Sequence, residues 1–232
     1  MQLHRRLAEG VGGWLRYEYH CQRGPLFSEK YLAYPIGQIL NAEYGARVAA
    51  EVDHPVLSRE MVGPGRRPQV DFVIRNAAGD IEVAVESKWC GRTVPKLENI
   101  TWDIVRLELL AHDSGAETFF VLGGQKRVLA RLFESDAFLA PNANREPRPL
   151  LRYDDRRAMG MRLDTPPAQR VPGVRKLFRK YPDVPMPNGI VTGKPYRSPT
   201  DGPGSQYQVF AWKVASRQGR RTFLPREHRL YR

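Results

Sequence analysis

The chain has 232 residues, 41% of them hydrophobic and 27% charged, with a net charge of +12. That suffices for one well-cored domain with an elaborated tail, or for two small ones. No stretch approaches the roughly 20 apolar residues of a membrane span, and the opening MQLHRRLAEGVGGWLRYEY lacks the apolar run of a secretory signal.

Residues 1–27 read as an introductory helix followed by a loop closed by Gly24 and Pro25. From Ser28, a suitable N-cap, Leu32, Ile36, Ile39 and Leu40 recur at helical spacing, with Pro35 as a kink or a restart. The helix ends before Gly45, and ARVAAEV begins a short strand. Residues 53–69 are a Gly- and Pro-rich loop. VDFVIR, the turn NAAGD and IEVAVESKW form an antiparallel hairpin. Lys96–His112 is a helix with the apolar stripe Leu97, Ile100, Ile104, Leu107 and Ala111. TFFVLGG (118–124) is a buried strand, and Lys126–Ser135 is another helix. The order is that of an α/β sandwich.

Composition changes after Pro141. Residues 1–140 carry a net charge of −1 and residues 141–232 carry +13, together with thirteen of the 19 prolines. GVRKLFRKY (173–181) reads as a short basic helix and QYQVFAWKV (206–214) as a late strand. The division is a core over 1–140 and a basic, Pro-rich segment over 141–232. Such a concentration of charge points to a polyanion, nucleic acid before an acidic protein. Arg175, Lys176, Arg179, Lys180, Lys194, Arg197 and Lys213 are its expected contacts, and Gln69 is a further candidate. Tyr196, Tyr207, Phe210 and Trp212 either stack bases or pack a late strand.

Side chains alternate along a strand, so Glu86 and Lys88 share a face. Val70, Phe72 and Ile74 form one apolar set of the partner strand, with Asp71 on its other face, towards Glu86. Ile81, Val83 and Val85 point into the core. Two close carboxylates both ionise readily only with a cation between them. Their hard oxygens suit Mg²⁺ or Mn²⁺, which can lower the pKa of a bound water beside a phosphodiester. Lys88 adds a donor for that water or for a developing oxyanion, and the backbone carbonyl of Ser87 is a further oxygen. A surface hairpin with an ordinary Glu86–Lys88 ion pair is the competing reading. His54 and the other histidines are expected to be solvated, and Asp103 and Arg106 to lie on a solvent face rather than to face phosphate. Neither GVGG nor LGGQK continues into a phosphate loop.

Asp71 followed by Glu86-Ser87-Lys88, each set on a strand, resembles the PD-(D/E)XK nuclease superfamily, although Val70 stands where the family carries proline. The resemblance covers about residues 28–124. It implies a restriction endonuclease-like core, with a mixed sheet of about four to five strands flanked by helices and a basic Pro-rich C-terminal extension. It further implies metal-ligand roles for Asp71 and Glu86, with Lys88 orienting water. SEKYLAYPIGQIL also resembles the opening helix of the nuclease domain in type I restriction motor subunits, which would make Glu29, rather than Glu43, the third catalytic acid. The expectation is a Mg²⁺-dependent nuclease acting on DNA more readily than on RNA, in a prokaryotic defence, restriction or mobile-element setting. A homodimer or larger complex belongs to the same expectation, as does a cytoplasmic location, which the two unpaired cysteines Cys21 and Cys90 favour. The alternatives are a catalytically silent nucleic-acid-binding subunit and an effector nuclease awakened by a partner or second messenger.

Overall fold

A computed structural model describes residues 2–60, 67–142, 146–154, 158–200 and 206–232. In chain order the elements are α1 (Leu3–His20), α2 (Glu29–Tyr44), β1 (Val48–Asp53), α3 (Pro55–Glu60), β2 (Gln69–Arg75), β3 (Ile81–Cys90), α4 (Leu97–Asp113), β4 (Glu117–Gln125), α5 (Lys126–Glu134) and α6 (Asp136–Leu139). They continue with β5 (Met159–Arg162), α7 (Val171–Phe178), β6 (Met186–Pro187), β7 (Gly189–Thr192), β8 (Tyr196–Arg197), β9 (Tyr207–Ser216) and β10 (Thr222–Phe223). No helix among the described residues is long and apolar enough to cross a membrane.

The Ser28 side chain caps α2, accepting the Tyr31 N–H at 3.2 Å. The helix runs unbroken through Pro35, which lies on its buried side. The expected loop over 53–69 contains α3; its residues 61–66 lie outside the described ones.

Among the described residues the main sheet has eight strands, wider than the four to five expected. Its order is β1-β2-β3-β4-β9-β7-β5, and β8 pairs with β9 beside β7. Of these strands only β3 and β4 run parallel, joined by α4; the other pairs are antiparallel. β9 lies along β4 over eight residue pairs, from Thr118↔Val214 to Gln125↔Tyr207. The compositional change at residue 140 therefore falls inside one sheet, to which the basic segment contributes β5, β7, β8 and β9.

Both faces of the sheet are buried, which is why β3, β4 and β9 read as nearly continuous apolar runs. Phe72, Ile74, Val83, Val85, Phe119 and Val121 pack with Leu7 and Val11 of α1 and with Leu32, Ile36 and Leu40 of α2. On the other side Val73, Ala84, Phe120, Leu122 and Trp212 pack with Ile100, Ile104 and Leu107 of α4. Val70 and Ile81 join this second core rather than the sets expected for them; a register shift between Ile74 and Arg75 accounts for Ile81. Placing α4 over this face covers the acidic positions of the hairpin. Any polar side chain there must find its partners inside the protein.

Candidate functional site

The ladder between β2 and β3 pairs Phe72 with Val85, and at the next step a side chain takes over. Asp71 Oδ2 accepts both the backbone N–H and the hydroxyl of Ser87, each at 2.8 Å. Ser87 therefore enters the cluster as a double donor to Asp71. This clip holds Asp71 at the neighbouring position to Glu86, as the hairpin alternation requires.

Glu86 is 1% exposed, and its Oε1 lies 2.9 Å from Nη2 of Arg106. Burial holds its carboxyl well above the usual carboxylate range. Arg106 opposes that shift, and Asp103 and Asp71 add to it. Lys88 bridges two layers of the fold, with Nζ 3.0 Å from Glu29 of α2 and 3.2 Å from Asp103 of α4. Burial works against its charge, but Asp103 and Glu29 outweigh burial and raise its pKa. Glu43, the alternative third acid, instead pairs with Arg6 of α1.

Asp103 and Arg106 correct the expectation of a solvent face. Asp103 is 3% exposed, and Arg106 Nη2 reaches its Oδ1 at 2.7 Å. Nη1 of the same guanidinium donates to the Gln69 carbonyl at 2.6 Å. Gln69 thus holds Arg106 through its backbone, while its side-chain amide donates to Asp53 at 3.3 Å. Burial also raises the Asp103 carboxyl, with Lys88 and Arg106 opposing. The sequence carried a signal for this: Asp103 stands three residues after Ile100 and four before Leu107, inside the apolar stripe of α4.

His54 is likewise buried, not solvated. Its Nδ1 accepts the Leu57 N–H at 3.3 Å, and Nε2 lies 2.9 Å from the Arg106 carbonyl. Nε2 therefore carries the proton of the neutral ring. It anchors the turn of α4 that presents the guanidinium.

Among the described residues no group of three or more His, Cys, Asp or Glu side chains is arranged to hold a metal ion. The donor chemistry nonetheless fits a hard divalent cation. Asp71, Glu86 and Asp103 offer carboxylate oxygens, and the buried Glu86 Oε1 and Asp103 Oδ2 have no well-directed hydrogen bond despite their nearby cations. With every group ionised, Asp71, Glu86, Asp103 and Glu29 exceed Lys88 and Arg106 by two negative charges. Arg106 partly fills the cation's electrostatic role in the cluster itself.

The basic positions are divided. Lys176 of α7 pairs with Glu98 of α4 at 3.0 Å, Arg175 donates to the Leu230 carbonyl at 2.7 Å, and Arg179 and Lys180 are exposed. α7 packs on α4, and Tyr181 just beyond it stacks on Trp102, with ring centroids 4.1 Å apart. Lys194, Arg197 and Lys213 lie around β8 and β9, separated from β3 by β4. Lys213 pairs with Glu117. Of the aromatics read as either base-stacking or strand-packing, Phe210 and Trp212 are core residues, Tyr196 packs against His4, and Tyr207 stands half-buried at the start of β9. Compared with family models, curated proteins and solved structures, the chain gives no match.

Proposed function

We infer that the protein is a metal-dependent nuclease whose reacting groups gather around Asp71, Glu86 and Lys88, with DNA its preferred substrate. The observation that carries this reading is the convergence of Asp71, Glu86 and Asp103 beside Lys88 on the α4 face of the β2–β3 hairpin. Asp71, Glu86 and Asp103 would hold Mg²⁺ or Mn²⁺, which supplies a more acidic water and neutralises charge on phosphate. Lys88, kept cationic by Glu29 and Asp103, contributes a fixed donor to the oxygen that develops charge. Ser87 fixes the Asp71 carboxylate. The excess positive charge of residues 141–232 draws the polyanion to the surface.

Single- and double-stranded DNA and RNA incubated with Mg²⁺ test the reading. Cleavage is expected to stop on addition of EDTA and to fall at least ~100-fold in Glu86→Ala and Lys88→Ala proteins. Cutting that survives both substitutions undiminished overturns the assignment.

One observation favours a silent nucleic-acid-binding subunit instead: the Arg106 guanidinium beside Glu86 and Asp103 supplies the cluster with an internal positive charge. Calorimetric titration with Mn²⁺ separates the two. Binding that disappears in Glu86→Gln protein supports the nuclease, and no heat of binding to the unaltered chain supports the silent form.

A further inference from the structure

A cavity of about 290 Å³ opens at the carboxyl ends of β3 and β4, lined chiefly by Tyr19, Phe27, Trp89, Arg92, Gln125 and Tyr207. Carboxyl ends of parallel strands are where α/β sheets commonly receive ligands. Trp89 and Tyr207 stack with centroids 5.9 Å apart and planes 22° from parallel. Phe27 meets both rings edge-on, at 6.1 Å from Trp89 and 4.8 Å from Tyr207. A side chain at Gly123 would come within 3.3 Å of the Trp89 ring, and one at Gly24 within 3.2 Å of Tyr19. The bare backbone at these two positions makes room for the rings.

The Trp212 indole, deep in the core, is satisfied by the Arg152 carbonyl at 2.5 Å, and the Tyr31 hydroxyl by Glu18 at 2.5 Å. Around the cavity, the Trp89 indole N–H, the Tyr19 and Tyr207 hydroxyls and the Arg92 guanidinium have no hydrogen-bond partner among the described residues. Flat apolar walls, open donors and one exposed cation together suit a planar π-system joined to an anion. The volume sits at the low end of small-molecule sites, about 300–1,000 Å³, and admits one base rather than a base pair. The location agrees with this chemistry. Trp89 directly follows Lys88 in the chain and Phe27 lies two residues before Glu29; the cavity rings pack on the α1/α2 side of the sheet, the side from which Glu29 reaches Lys88.

We propose that this cavity receives an unpaired nucleobase of a single-stranded nucleic acid, stacked against Trp89 and Tyr207 with a phosphate on Arg92, and thereby presents single-stranded or frayed substrate to the neighbouring acidic cluster. Presentation for cutting rests on the nuclease reading; capture of the base does not.

Fluorescence anisotropy in EDTA tests the capture without any cleavage. The probes are a fluorescein-labelled thymidine oligonucleotide and the same strand annealed to its complement. The single strand is expected to bind more tightly. Trp89→Leu and Tyr207→Leu should each weaken it by roughly 5- to 150-fold while leaving duplex binding unchanged. Arg92→Ala should lower the salt dependence by about one phosphate contact. Photocrosslinking of the unaltered protein to a 5-iodouracil-substituted strand locates the contact without relying on the folding of any variant: adducts at Trp89, Tyr207, Phe27 or Tyr19 are expected. Adducts confined to other regions such as α7, or equal affinity for strand and duplex with folded variants unaffected, overturn the proposal. Strand binding that depends on Trp89 in a protein that cuts nothing would retain the cavity and discard the nuclease.

Discussion

His54 shows how one side chain can position a buried guanidinium from behind. Burial lowers its pKa from 6.5 to about 4, so the folded protein keeps the ring neutral where an unfolded chain would protonate it. Between about pH 6.5 and 4 the unfolded state binds the extra proton, and stability therefore falls as pH falls through that window. The full shift corresponds to roughly 3 kcal/mol. Thermal melts across this range should show the loss, and His54→Asn should flatten that part of the profile. Asparagine can still cap α3, so the substitution isolates the ring's link to the Arg106 carbonyl. A His54→Asn protein that loses as much melting temperature between pH 6.5 and 4 as the wild type would contradict a neutral, buried ring.

At the scale of elements, α4 is the helix on which the fold turns: it crosses over between the parallel strands, carries Asp103 and Arg106 inward, and packs against α7. It also buries Glu108 completely, with Arg220 Nε at 2.8 Å and the Ser216 hydroxyl at 2.9 Å. Burial raises that carboxyl and Arg220 opposes the shift. Arg220→Ala would leave an uncompensated buried acid, at a cost of about 3–5 kcal/mol in urea unfolding. Arg220→Ala together with Glu108→Leu should recover most of that loss. The sequence was legible at this scale where period and capping agreed, as in Ser28 opening α2, the β2–β3 hairpin, and β9 over 207–216. It was less legible where burial depends on distant partners. Asp103 and Arg106 looked like a solvent-side pair because charge usually marks a surface, and only the sheet beneath and α7 outside enclose α4 on several sides. α3 was hidden in a Gly- and Pro-rich stretch because its cap is the ring of a histidine. Joining Asp71, Glu86 and Lys88 needed only strand alternation, whereas bringing Glu29 to Lys88 required the packing of α2.

For the whole molecule, the joining of β9 to β4 matters most. Phe210, Trp212 and Val214 of β9 are buried with residues of β4 and α4, so the basic segment completes the core to which the acidic cluster belongs. A protein ending at residue 140 should lack a cooperative thermal transition and aggregate through the exposed edge of β4. A soluble fragment with a sharp melt and native-like circular dichroism would show that the first part stands alone. Along the sheet, β4 sits between one neighbour encoded just before it and another encoded far behind. During translation Gln125 leaves the ribosome some 91 residues ahead of Ser216, a delay of roughly 5–20 s at ordinary elongation rates. Through that interval the nascent chain carries a naked apolar strand awaiting its mate, and its safe maturation depends on whatever shields that strand until the tail arrives.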